Sequence, residues 1–261
     1  MNGTYGKAKC LAMAGKGGTG KTTLSALLIK YLVESGLTPV LAVDADANAN
    51  LNELLGVEVE TTLGEIRDRM KTETPTGMTK NEYMEMHINQ AIIEETGYDL
   101  VVMGQPEGPG CYCMANSILA QVLESLMKSY RYLLVDNEAG MEHLSRLNLR
   151  TIETLFVVSD ASSRGVLTAI RIAALTSSLG VKVGRKVLIV NKTPDDVPEA
   201  LHSQVLEAQE KTDLVFGGYL PQSEIVFNYE LEQRPLLDLP SSEKIVEKAF
   251  DIFERFIRGK D

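Results

Sequence analysis

The sequence predicts an α/β fold: a mainly parallel sheet with helices on both faces. Short, strongly apolar runs recur along the 261 residues and longer amphipathic segments alternate with them. Such alternation is the pattern of parallel strands joined by crossover helices. A glycine-rich turn directly after the first run leads into a helical pattern, as a strand–loop–helix unit requires. Right-handed crossovers then place any ligand at the carboxyl ends of the strands.

Taken in order, the first run is Cys10–Ala14, and the helix after its glycine turn covers Thr23–Ser35. Val40–Val43 reads as the second strand. The stretch from about Thr61 to Gly97 is more polar, and it reads as a helical insertion before the next strand. Thr62 with Glu65 and Thr79 with Glu82 both fit the Thr-x-x-Glu capping box, and the second opens a helical pattern over Thr79–Thr96. Leu100–Met103, Tyr132–Val135, Leu155–Val158, Val187–Val190 and Val215–Leu220 supply further strands, most of them apolar throughout as double-sided burial demands. Helices over Met114–Lys128, Val166–Leu179 and Pro198–Lys211 lie between them. A last helix, Ser242–Arg258, carries Ile245, Ala249, Phe250, Phe253, Phe256 and Ile257 on one stripe. Its charges are mixed in sign, which favours docking on the sheet over a membrane surface. The expectation is a single domain over residues 1–261, with the insertion near 61–97.

A net charge of −10 argues against nucleic acid or an anionic membrane as the main partner. No apolar run approaches the roughly eighteen residues of a membrane span, and no secretory pattern precedes the first strand. A cytoplasmic protein with reduced thiols is expected. Three cysteines do not make a disulfide framework, so the pair Cys111–Tyr112–Cys113 needs another account.

The turn Gly15–Lys16–Gly17–Gly18–Thr19–Gly20–Lys21–Thr22 matches the Walker A pattern of P-loop NTPases. Its backbone N–H groups can cradle phosphate oxygens, with Thr23 next in the helix's first turn. Lys21 would sit on the β- and γ-phosphates of ATP, and the Thr22 hydroxyl would bind Mg²⁺. Lys16 is an additional cation: either a solvated loop lysine, or one that reaches a phosphate across a dimer interface. Val43–Asp44–Ala45–Asp46 puts two carboxylates at a strand end, suited to the metal's outer shell and to orienting a water. Tyr132–Asp136 reads as a Walker B strand whose Asp136 holds Mg²⁺ through water, and a following Gly140 N–H can sense the γ-phosphate. Asn191 and Pro221, each ending a late strand, are candidates for the adenine edge.

These residues resemble the dimerising MinD/ParA/nitrogenase-iron-protein class of P-loop ATPases, over essentially the whole chain. The resemblance implies that Lys16 crosses into the partner's site and that Asp46 positions the attacking water. Within that class, Pro109–Cys113 with Asn116–Ser117 and Gly140–Leu144 look like the CooC/AcsF group, nickel-insertion ATPases of carbon monoxide dehydrogenase and acetyl-CoA synthase. The resemblance implies that two protomers each give Cys111 and Cys113 to one shared Ni²⁺, with Zn²⁺ possible in its place. The client would be one of those two nickel enzymes. A loop leading into a helix N-terminus favours thiolate, and a symmetric dimer doubles two thiolates to four. Four thiolates also suit an iron–sulfur cluster, so a cluster scaffold or carrier is the rival reading. A third reading is a partitioning switch on membrane or DNA, against which the acidic balance speaks. His143 reads as a helix-surface residue or a relay of nucleotide state. Cys10, inside the first strand, reads as a small core residue.

Overall fold

A computed structural model describes residues 7–46, 48, 50–104, 113–138, 151–178 and 180–259. The strands are β1 (Lys9–Gly15), β2 (Val40–Asp44), β3 (Ile93–Glu94), β4 (Tyr98–Val102), β5 (Tyr132–Asp136), β6 (Thr151–Asp160), β7 (Lys182–Thr193) and β8 (Leu214–Pro221). They form one sheet in the order β3-β4-β2-β5-β1-β6-β7-β8. Every neighbouring pair is parallel except β3 with β4. β1 lies in the middle. The chain leaves it toward β2 on one side, and after β5 builds β6 to β8 on the other. Such a reversal opens a crevice at the strands' carboxyl ends.

Alternation along each central strand supplies two cores. Cys10, Ala12 and Ala14 of β1 face one cluster with Leu41 and Val43 of β2. Leu11 and Met13 face the opposite cluster with Val40 and Ala42. Side chains two residues apart share a face, so a continuous apolar run buries both faces at once. The first cluster is covered by α3 (Leu63–Glu73), α4 (Lys80–Ala91), α5 (Cys113–Leu126), α6 (Ser163–Ser178) and α7 (Glu199–Lys211). The second is covered by α1 (Lys21–Glu34), α2 (Leu51–Leu55), α8 (Glu224–Leu231) and α9 (Lys244–Phe253).

Both expected capping boxes form: Thr62 Oγ1 accepts from Glu65 N at 3.3 Å and Thr79 Oγ1 from Glu82 N at 3.2 Å, and each glutamate bonds back. The helical pattern expected over Thr79–Thr96 stops at Ala91, however, and Ile93–Glu94 instead form an antiparallel edge strand on β4. Gly97 at φ 90° makes the hairpin between them possible. The C-terminal helix also departs from expectation, running as α-helix only to Phe253 and then as a π-turn over Glu254–Arg258. Its stripe docks as anticipated. Phe253 is wholly buried, with its ring centroid 5.6 Å from Phe156 and 5.8 Å from Tyr31. Leu51–Leu55 and Glu224–Leu231 are helices that the sequence pattern did not announce, both too short to display a period.

Candidate nucleotide site

β1 ends on Gly15, whose missing side chain brings the strand against β6: a Cβ there would lie 2.3 Å from Val158 O. The chain then turns through Lys16–Gly20, with Gly18 at φ 79° and Gly20 at φ 90°, left-handed conformations that favour glycine. Lys16 O accepts from Thr19 Oγ1 at 2.8 Å and from Lys21 Nζ at 3.3 Å, so the loop folds back on itself. On its far side Asn191 Nδ2 donates to Thr19 O and Lys192 Nζ to Gly18 O, each at 2.9 Å. α1 starts at Lys21 with no side-chain cap. Its first N–H groups and dipole therefore face the loop, an arrangement suited to an anion.

Three carboxylates stand opposite. Asp44 and Asp136 are register partners at the ends of β2 and β5. Asp44 accepts from Asp46 N at 3.0 Å and Leu51 N at 2.9 Å, yet burial pushes its pKa up to about 6. Asp136 is 1% exposed, and its Oδ1 accepts from Ser25 Oγ at 3.0 Å. Burial, reinforced by the Asp44 charge, raises it to about 7 against the pull of Thr22, Ser25 and Lys21. Its Oδ2 is buried without a hydrogen-bond partner among the described residues. An orphaned carboxylate oxygen beside a helix-start hydroxyl fits a hard cation such as Mg²⁺. Burial lowers the Lys21 pKa, and the charges of Asp136, Asp46 and Glu138 oppose that shift. Asp46 is half-buried, and its carboxylate accepts from Asn48 N at 2.9 Å.

A cavity of about 1160 Å³ opens over this group, lined by Gly17, Gly18, Gly20, Lys21, Thr22 and Asp46 together with α2 and residues 230, 233 and 234. A second cavity, about 180 Å³, shares Thr23, Lys192 and Glu230 with it, and both Asn191 and Pro221 line it. The two late-strand candidates thus meet in one place. The structure nevertheless gives Asn191 another neighbour first, since its amide donates to the loop and it is 6% exposed. Thr23 donates to Glu230 Oε1 at 2.9 Å and lines both cavities. Lys16 is exposed.

Gly140, Cys111 and His143 lie outside the described residues, and Cys113 is the first residue of α5. Among the described residues no group of three His, Cys, Asp or Glu side chains could hold a metal, and no helix is long and apolar enough to cross a membrane. Cys10 is buried in β1 as a core residue, its pKa raised by burial to about 12. Sequence reasoning missed Ser25, Glu138 and Lys192. Ser25 was findable, because it follows Thr22 by three residues and so shares its helix face. Lys192 was visible only as the neighbour of Asn191.

Residues 10–236 match the family described as CobQ/CobB/MinD/ParA nucleotide binding domain. The chain is 40% identical to an uncharacterized ATP-binding protein of Methanocaldococcus jannaschii, over 96% of this chain and 99% of that one. It is 31% identical to the carbon monoxide dehydrogenase accessory protein CooC of Rhodospirillum rubrum, over 66% and 70% respectively. Among solved structures, the cell division ATPase MinD of Pyrococcus furiosus superposes with a TM-score of 0.71 at 20% identity, covering 97% of this chain and 100% of that one. MinD of Pyrococcus horikoshii in complex with Mg-ADP gives 0.69 at 22% identity, covering 95% of each.

Proposed function

The chain belongs to the CobQ/CobB/MinD/ParA nucleotide-binding family of P-loop ATPases, and within it we propose a Mg-ATP-dependent metallochaperone. Two protomers close on ATP, hold one nickel-type ion between them, and release it on hydrolysis to carbon monoxide dehydrogenase or acetyl-CoA synthase. The observation that carries this reading is the Cys111-x-Cys113 pair of the sequence, whose second cysteine is the first residue of α5. The likeness to an accessory protein of carbon monoxide dehydrogenase supports the choice of client.

In this reading one ATPase domain spans residues 1–261, and helices near 61–97 are an insertion in it. The loop Gly15–Thr22 holds the phosphates, with Lys21 neutralising their charge. Thr22 and Asp136 would hold Mg²⁺, which supplies further neutralisation of the phosphate oxygens. Asp46 orients the attacking water and accepts its proton. Lys16 reaches the partner's nucleotide and stabilises charge as the bond breaks. Asp44 braces the backbone of Asp46, Gly140 senses the γ-phosphate, and the cavity shared by Asn191 and Pro221 receives the base.

Anaerobic dialysis against Ni²⁺ or Zn²⁺ tests the proposal. The parental protein should bind about one ion per two chains, as two thiolates per protomer require. Cys111→Ser and Cys113→Ser should each abolish tight metal binding and leave ATP affinity unchanged. One tightly held ion per monomer, or unchanged affinity in both variants, would refute it. Stoichiometric iron and sulfide in the isolated protein would favour the cluster carrier.

A further inference from the structure

The geometry points to a second anion site, for a phosphate group that is free or carried on a small ester, at the amino edge of the sheet. A cavity of about 250 Å³ lies there, across the sheet from the nucleotide cleft. Strand parity builds its floor. Side chains two residues apart share a face, and Leu11, Phe156 and Val187 all belong to the core under α1 and α9. Lys9 of β1, Thr154 of β6 and Arg185 of β7 each stand two residues before one of these, so all three face the same way and line the cavity. The roof is the π-turn Glu254–Arg258 with Gly259, whose φ of 70° ends it. Turns of this kind are rare and recur at functional sites.

Three cations line the space, Lys9, Arg185 and Arg258, against the single carboxylate of Glu153. In a chain of net charge −10 that local excess selects an anion. The roof fixes Arg185 without a counter-ion: Nη1 donates to Phe256 O at 3.2 Å, and the guanidinium carbon lies 5.7 Å from the Phe256 ring centroid. Arg258 Nη2 donates to Ser35 O at 2.7 Å, with its Nε 3.6 Å from Glu254. A guanidinium has five N–H donors in a planar fork that matches an oxyanion, so both keep donors to spare. Lys9 Nζ and the Thr154 hydroxyl have no partner among the described residues, although Thr154 is only 2% exposed. A buried hydroxyl is ordinarily paired, and a ligand oxygen in the cavity would accept from it. Phosphate suits these donors, with about −1.5 to −2 charge near neutral pH and several acceptor oxygens. The volume is below the roughly 300–1,000 Å³ of sites for larger ligands, so an ester of only a few carbons fits.

The nucleotide cleft also takes phosphate, so the experiment titrates protein saturated with Mg-ADP in physiological salt. Inorganic phosphate is the probe in one arm and glycerol 3-phosphate in the other. Amide shifts should gather at Thr154, Arg185 and Phe256–Gly259 and saturate at one ligand per chain. Lys9→Gln, Thr154→Val and Arg185→Gln should each weaken binding about tenfold, the effect of one hydrogen bond to a charged group, with Mg-ADP affinity unchanged. Tighter binding of the ester names a small phosphorylated molecule as the ligand, and tighter binding of the free ion names phosphate itself; either upholds the site. Shifts confined to the phosphate loop overturn it, as does an affinity that none of the variants moves. Lys9 is exposed, so Lys9→Gln carries the test even where Arg185→Gln loosens the C-terminal turn. A protein that binds no Mg-ADP overturns the nucleotide reading, and the amides of the amino-edge cavity still decide this one.

Discussion

At the scale of single residues the site is a balance of buried charges. Burial weakens the solvation of Lys21 and Asp136, and the charges of Asp136, Asp46 and Glu138 all act on Lys21. Lys21→Ala removes the cation that the phosphates would meet, and ATP affinity should fall by roughly a hundredfold or more, about 2.7 kcal/mol. Calorimetric titration reads this directly. Asp46→Asn should leave binding intact and lower the hydrolysis rate by about 10²–10⁴-fold, the range for loss of a general base. Single-turnover phosphate release separates the two cases. Asp136 and Asp44 make a further claim testable without nucleotide. Their folded pKa values, about 7 and about 6, lie above the unfolded value near 3.9. Between those limits the folded state binds more protons than the unfolded one, so these groups lower stability as pH rises. The ligand-free protein should melt at a lower temperature at pH 8 than at pH 5.5. Asp136→Asn keeps the Ser25 contact on Oδ1 and removes one of the two buried carboxylates, so it should raise the melting temperature at pH 8 and flatten the profile down to the Asp44 contribution. An unchanged profile would show that Asp136 is solvated.

At the scale of elements, the ends of β2 and β4 are tied to each other and to α3. Met103 N donates to Asp44 O and Gly64 N to Met103 O, both at 2.8 Å. Gly104 follows at φ 64°, and a Cβ on it would lie 2.6 Å from the Thr62 side chain that caps α3. Gly36 has nearly the same backbone, φ 65°, but open space around it. Gly36→Ala should therefore cost about 1 kcal/mol, the left-handed penalty alone. Gly104→Ala should cost a further 1–3 kcal/mol or so for the overlap with Thr62. Urea denaturation of the two variants gives the difference, and equal losses would mean that Thr62 yields freely. The comparison matters for function because Gly104 begins the segment leading to Cys111 and Cys113.

At the scale of the whole molecule, the two helical layers bury both faces of one sheet and leave its carboxyl edge as an open cleft of about 1160 Å³. Lys16 is exposed, while Lys21 lines that cleft and is 7% exposed. This division of two lysines in one loop fits one acting within the chain and the other between chains. Lys16→Ala should retain nucleotide affinity within about twofold, because Lys21 still carries the phosphate charge. It should lose ATP-induced dimerisation and turnover. Sedimentation with a non-hydrolysable analogue checks this, and a normal shift to dimer would place Lys16 in its own chain's chemistry.

The amino-acid sequence by itself determined the sheet, its two-sided core, the phosphate loop and the strand-end carboxylates. Each rests on a local pattern: continuous apolar runs between Cys10 and Leu220, glycines where φ must be positive, capping boxes at Thr62 and Thr79. Only the tertiary structure decided what long-range approach controls. The alternation that predicts strands says nothing of the register break at β7, or of the Asn191 amide's bond to Thr19 O in the loop. The Thr23 hydroxyl donates to Glu230, 207 residues away, a contact that no local pattern announces. Ile93–Glu94 became a strand because β4 offered an edge, which no propensity of two residues could announce. Burial, reinforced by the Asp44 charge that β2 sets beside it, pushes the Asp136 carboxyl up to about 7. Charge and hydrogen-bond partners act through space, and a chain read residue by residue shows only neighbours in sequence.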